Sequence, residues 1–111
     1  QDAPTLLMEL GAVGDIRDHF RRDISREGLA AELDVNPDNL GRLFLMYTGE
    51  KIGDYINRLR VEAALRYFED PGTLIQNVAL EVGFENVSTF NRVFKKIMQC
   101  TPTDYRARLR E

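Results

Sequence analysis

The spacing of apolar positions along the chain is helical almost everywhere. They recur at three and four residues, and no segment alternates with period two over a useful length. Prolines (Pro4, Pro37, Pro71, Pro102) and glycines cut the pattern into segments of about 8–19 residues. Val13, Ile16 and Phe20 mark a short amphipathic helix over 12–22. Ser25 is placed to cap a second helix that runs through Leu33. Asn36-Pro37 supplies a cap and a first-turn proline, opening a helix over about 37–47 that Gly49 ends. The longest helix covers about 51–68, with Ile52, Tyr55, Ile56, Leu59, Ala63 and Tyr67 along one face. At about 1.5 Å per residue it spans about 27 Å. Asp70-Pro71-Gly72 stops it. A helix over 74–82, a tight turn at Gly83, a helix over 87–98 with Ser88 at its start, and a last short helix from Thr101-Pro102 through Arg110 complete the chain. The pattern predicts an all-α fold of seven helices.

An internal repeat organises these helices. Shifted by 49 residues, Ala30, Glu32, Leu33 and Val35 fall on Ala79, Glu81, Val82 and Phe84; shifted by 50, Leu40, Arg42, Leu43 and Phe44 fall on Phe90, Arg92, Val93 and Phe94. A helix–turn–helix pattern therefore occurs twice, with one extra residue in the second turn. In each copy an alanine lets the second helix cross closely, and an apolar turn residue (Val35, Phe84) plugs the junction. The expected organisation is an N-terminal helix with a first helix–turn–helix subdomain over 1–50, a linker helix over 51–69, and a second subdomain over 70–111.

The second helix of each copy sorts by face. Downstream, Phe90, Val93, Phe94, Ile97 and Met98 follow the buried spacing of an amphipathic helix. Ser88, Asn91, Arg92 and Lys95 lie on the opposite side with Thr89 beside them, a face of short donors, an amide and cations with no acid. In a DNA major groove, Arg forks onto guanine, Asn pairs with adenine, and Lys meets phosphate. Ser88 suits either an N-cap or a place at that interface. Upstream, the expected buried set is Leu40, Leu43, Phe44 and Tyr47. The outward set is Asp38, Gly41, Arg42 and Leu45 with Asn39 alongside, of which only Asn39 and Arg42 donate to bases. Leu45 and Met46 are expected to pack on neighbouring helices. Arg58 and Arg60 on the linker helix are candidates for phosphate contact.

Composition narrows the class. With 111 residues, 43% hydrophobic and 30% charged, the chain is folded and of one domain's length or two very small ones. No run reaches the roughly 20 apolar residues of a membrane helix, and no signal peptide opens the chain, so no membrane role is expected and the cytoplasm is the expected compartment. One cysteine, Cys100, and one histidine, His19, leave no disulfide framework and no Cys/His zinc cluster. Cys100 is expected to be a buried small apolar residue and His19 a structural or surface one. Gln1 in the first position leads to the expectation of a fragment from a longer protein. The net charge of −3 looks unsuited to nucleic acid, but it is uneven. Residues 1–38 carry four basic and nine acidic side chains, whereas 85–111 carry six and three. Phosphate responds to the local field within roughly 8–10 Å more than to the total.

Taken in order, Leu29-Ala30-Ala31-Glu32-Leu33, Leu40-Gly41-Arg42-Leu43-Phe44, Thr48-Gly49, Tyr55-Ile56-Asn57-Arg58-Leu59-Arg60 with Ala63 and Ala64, and Val78-Ala79-Leu80-Glu81-Val82-Gly83-Phe84 form a recognisable series. It closes with Phe90-Asn91-Arg92-Val93-Phe94-Lys95-Lys96 and Thr101-Pro102-Thr103-Asp104-Tyr105-Arg106. The series resembles the DNA-binding domain of AraC/XylS transcription regulators over about 12–110. The resemblance implies two helix–turn–helix subdomains on a rigid linker helix, with recognition helices at about 37–47 and 87–98 entering successive major grooves, about one DNA turn of 34 Å apart. It also implies base-contact positions at Asp38, Asn39, Gly41 and Arg42, and at Val87, Ser88, Thr89, Asn91 and Arg92. The chain departs from the family pattern at Gly41, where a long polar reader is usual, and at Leu45-Met46, where a basic pair is usual. At Gln99-Cys100 it lacks the usual glycine and aliphatic residue, which predicts a slightly different turn before Thr101.

The expectation is therefore sequence-specific double-stranded DNA binding as the output module of a bacterial transcription regulator, with the second copy dominant. Phosphate contacts fall to Arg58, Arg60, Lys95 and Lys96. RNA polymerase is the expected protein partner, the nucleoid the expected location, and an effector and dimerisation domain the expected missing part. No cofactor, metal or catalytic residue is expected, since no phosphate loop or nucleophile pairing is present. The alternative is a protein-interaction domain of the same fold with little DNA affinity, suggested by Asp38, Leu45-Met46 and the negative net charge.

Overall fold

A computed structural model describes residues 11–111. Its helices are α1 (Ala12–His19), α2 (Arg26–Leu33), α3 (Pro37–Thr48), α4 (Ile52–Tyr67), α5 (Ile75–Glu81), α6 (Val87–Met98) and α7 (Pro102–Leu109). Among the described residues there are seven helices and no strand, as the periodicity predicts. Pro4 lies outside the described residues. The chain packs as two units that divide within α4, between Ile56 and Asn57.

In the first unit the core is Ala12, Ile16, Leu29, Ala30, Leu40, Phe44, Ile52, Tyr55 and Ile56. Ala30, Leu40 and Phe44 are fully buried, as a close crossing of α2 and α3 at a small residue requires. Phe44 meets Tyr55 edge-on at 5.3 Å between centroids. The Tyr55 hydroxyl accepts from Arg17 Nη1 at 3.1 Å, which gives the aromatic's polar end a partner.

The second unit is built on aromatics. Phe68, the residue just after α4, lies 6.3 Å from Phe90 and 6.0 Å from Phe94, and Phe84 lies 5.3 Å from Phe90. Val61, Ala64, Ala79, Val82, Phe90 and Phe94 are fully buried around them. Cys100 is buried, as expected for a small apolar residue.

The two turns use one device. After α2, Asp34 takes the left-handed conformation (φ 57°) and the Val35 N–H donates to the Ala30 carbonyl at 3.0 Å. After α5, Gly83 has φ 113° and the Phe84 N–H donates to the Ala79 carbonyl at 3.0 Å. These bonds join equivalent residues of the repeat and satisfy carbonyls the helix end leaves open. The next helices are capped by Asn36 and Asn86. The extra residue of the second turn is therefore found between Phe84 and Asn86, and is Glu85.

Several expectations need correction. Ser88 is not the cap of α6: Asn86 is, its Oδ1 accepting from the Thr89 N–H at 2.8 Å. Tyr47 and Ile97, placed in the buried sets, are exposed at 42% and 37%. Each lies within the buried stripe by helical angle but is the second-to-last residue of its helix, so it stands at the stripe's end rather than between its core positions. Leu43, Val93 and Met98 are half-buried. Leu45 and Met46, expected to pack on neighbouring helices, stand exposed at 45% and 67%. The helix over 12–22 ends early, at His19, and Leu74 and Val82 flank α5 as its cap residues. Gln99 closes α6 as Gly49 closes α3: both are left-handed (φ 63° and 79°), and each N–H donates to a carbonyl four residues back at 2.9 Å. The glycine's absence therefore leaves the turn unchanged in form.

Candidate nucleic-acid interface

The orientation of α6 is set by its two sides. Asn86 fixes the start of the helix, and fully buried Phe90 and Phe94 fix its rotation. Ser88, Asn91, Arg92, Lys95 and Lys96 are consequently exposed, with Val87 and Thr89 half-buried at the edge. The helix carries no acidic residue. Among the described residues, the side chains of Asn91, Arg92, Lys95 and Lys96 make no hydrogen bond or ion pair. An amide, a guanidinium and two ammonium groups thus stand together in water with their donors unused. The first-turn N–H groups add partial positive charge beside Val87 and Ser88.

The face of α3 is arranged differently. Asn36 Oδ1 accepts from the Asp38 N–H at 2.8 Å and the Asn39 N–H at 3.2 Å, and Pro37 occupies the first turn. Asp38, Asn39 and Arg42 are exposed and Gly41 is half-buried. Arg42 Nη2 donates to Asn39 Oδ1 at 2.9 Å, so the two candidate readers of this helix are bonded to each other.

A residue that the sequence reading overlooked joins this face. Arg26, the first residue of α2, lies beside Gly41: a Cβ on Gly41 would stand 3.2 Å from Arg26 Cδ and 3.6 Å from its Nη1. Its Nη2 is 3.0 Å from Glu27 Oε1 and 3.7 Å from Asp38 Oδ1. The Glu27 carboxyl is held below its usual range by a hydrogen bond from its own backbone N–H and, secondarily, by the Arg26 guanidinium. The only signal in the sequence was the missing side chain at Gly41, which does not say what takes its place.

On α4, Arg58 Nη1 donates to Glu62 Oε1 at 2.8 Å, and the Arg60 guanidinium lies 5.6 Å from the centre of the Phe84 ring. Both arginines are half-buried and engaged with protein.

The family model described as "Helix-turn-helix domain" matches residues 29–108. Regulatory protein SoxS of Escherichia coli K12 is 33% identical over 97 residues, covering 85% of this chain and 88% of SoxS. The uncharacterized transcriptional regulatory protein YesN of Bacillus subtilis is 39% identical over 74 residues, covering 65% of this chain; that match spans only 20% of YesN. Among solved structures, the DNA-binding domain of AdpA, a global transcriptional factor crystallised with a target DNA, superposes with a TM-score of 0.83 at 25% identity, covering 99% of this chain and 95% of that one. With the ordered motifs and the repeated helix–turn–helix now joined by these likenesses, the chain belongs to the AraC/XylS family of helix–turn–helix transcription regulators.

Proposed function

We propose that this chain is the sequence-specific, double-stranded DNA-binding output module of a bacterial transcription regulator, reading major grooves with α3 and α6. The observation that carries the reading is the exposed, acid-free face of capped α6, where Ser88, Asn91, Arg92 and Lys95 have unused donors. Arg92 forks onto guanine and Asn91 pairs with adenine, while Val87, Ser88 and Thr89 meet the groove near the helix start. Lys95 and Lys96 hold phosphate, positioning the helix without reading sequence. Asn39 and Arg42 contribute upstream, and Arg58 and Arg60 reach phosphate by releasing Glu62 and sliding along the Phe84 ring. The module needs no cofactor and is not an enzyme. In the bacterial cytoplasm and nucleoid it would act with RNA polymerase, under an effector and dimerisation domain elsewhere in the parent protein.

The test is equilibrium binding to selected and random duplexes across a salt series. Phosphate-driven binding gives log K falling against log salt with a slope near −0.9 per neutralised phosphate. A second reading, a protein-interaction domain of the same fold, draws on the exposed Leu45, Met46 and Tyr47. A flat salt response, with no duplex shifted, would favour it.

A further inference from the structure

We infer that Arg26 supplies the upstream unit with the DNA-contacting side chain that Gly41 lacks, reaching the recognition face from the preceding helix. This rests on the DNA-binding reading above. Gly41 shares the outward face of α3 with Asp38 and Arg42, and by itself offers no group there. The space in which its side chain would begin is occupied: Arg26 Cδ lies 3.2 Å from the ideal Cβ position, closer than ordinary van der Waals contact. The glycine is thus what lets the arginine stem lie on α3. The guanidinium then stands on the recognition face, its Nη1 3.6 Å from that Cβ position and its Nη2 3.7 Å from Asp38 Oδ1.

This placement resolves two difficulties of the upstream unit together. Asp38 alone would be repelled by phosphate, and Arg26, shared with the nearer Glu27, offsets part of that repulsion. Donor and acceptor side by side also match the edge of a guanine–cytosine pair, Arg26 donating to guanine O6 and N7 and Asp38 accepting from the cytosine amine. The Arg26 side chain is 44% exposed, and its two bonds to Glu27 Oε1, from Nε at 3.3 Å and Nη2 at 3.0 Å, form a surface pair that costs little to open. A phosphate would satisfy the same guanidinium fork, and the experiment separates the two acceptors.

The 111-residue chain is titrated with the duplex it enriches from a random pool, alongside Arg26→Ala, Arg26→Met, Arg26→Ala/Gly41→Arg and Arg92→Ala. Arg26→Met keeps an aliphatic stem on Gly41 and removes the guanidinium with its charge and donors. Both single Arg26 variants are expected to bind about tenfold more weakly while melting as the parent does. Loss of preference at one base pair identifies guanine; unchanged preference with a salt slope shallower by about 0.9 identifies phosphate. Returning the guanidinium from position 41 in the double variant is expected to recover most of the affinity. If Arg92→Ala weakens binding while Arg26→Met matches the parent in affinity, preference and salt slope, the assignment of Arg26 is overturned and the DNA-binding reading stands. If the parent enriches no duplex, both fall.

Discussion

Arg42 is hydrogen-bonded to Asn39 one turn earlier, Nη2 to Oδ1 at 2.9 Å, whereas Arg92, its counterpart in the second helix–turn–helix, has no side-chain partner among the described residues. The repeat places the two arginines equivalently, so the difference comes from their neighbours: Asn39 offers an amide oxygen where the second copy has Thr89. To fork onto a base, Arg42 must give up or share that bond, while Arg92 gives up only water. Arg92→Ala is expected to cost about 1–3 kcal/mol of binding and relax one base preference. Arg42→Ala is expected to cost less, about 1 kcal/mol or under. Titration of both variants on the selected duplex checks this; equal losses would contradict the asymmetry.

Capping and reading are separated on α6 by two residues. Asn86 holds the cap bond to Thr89, while exposed Ser88 holds none. Asn86→Ala is expected to lower stability by about 1 kcal/mol. Ser88→Ala is expected to stay within about 0.5 kcal/mol of the parent in stability, yet weaken DNA binding. Urea unfolding and DNA titration of the same two proteins distinguish the roles. A Ser88→Ala protein that loses stability and keeps its affinity would reverse them.

The backbone after α5 and after α6 makes the same demand, a positive φ, and different residues meet it. Gly83, at φ 113°, holds a conformation that a side chain would strain, so Gly83→Ala is expected to destabilise by at least about 1 kcal/mol. Gln99 pays the left-handed cost at φ 63°, and Gln99→Gly is expected to stabilise by about 0.5–1 kcal/mol. That gain is net of the Gln99 Nε2 bond to the Lys96 carbonyl at 2.9 Å. Shifts in urea midpoint at constant slope report both.

These positions also show what the sequence could and could not tell. Asn36-Pro37, Gly49 and Thr101-Pro102 are local signals, because a cap or a left-handed turn involves only its own few residues, and each acts where expected. The face of α6 was readable for the same reason: periodicity alone separates Phe90 and Phe94 from Asn91 and Arg92. Tyr47, Ile97, Leu45 and Met46 misled because their burial depends on how far the neighbouring helices extend, which no helical spacing encodes. Asn86 and Ser88 are both good caps, and the choice between them is made by where the turn after Phe84 ends. Arg26 was invisible because a glycine records a gap, and the residue that fills it stands on another helix.

Lys95 and Lys96 have no acid on their helix to neutralise them. Replacing both with Gln is expected to weaken binding to selected and unselected duplexes alike and to flatten the salt slope by up to about 1.8. Base preference is expected to survive. Titrations at several salt concentrations measure it, and a change in preference without a change in slope would move these lysines from phosphate to bases.

The central claim is that the Asn91/Arg92 side of α6 reads base pairs. The most direct measurement is selection from a random duplex pool by the parent chain and by Arg92→Ala, with the enriched sequences compared position by position. The account predicts one enriched motif for the parent and the same motif with a single position relaxed for the variant. Identical motifs of equal affinity from both proteins would contradict it.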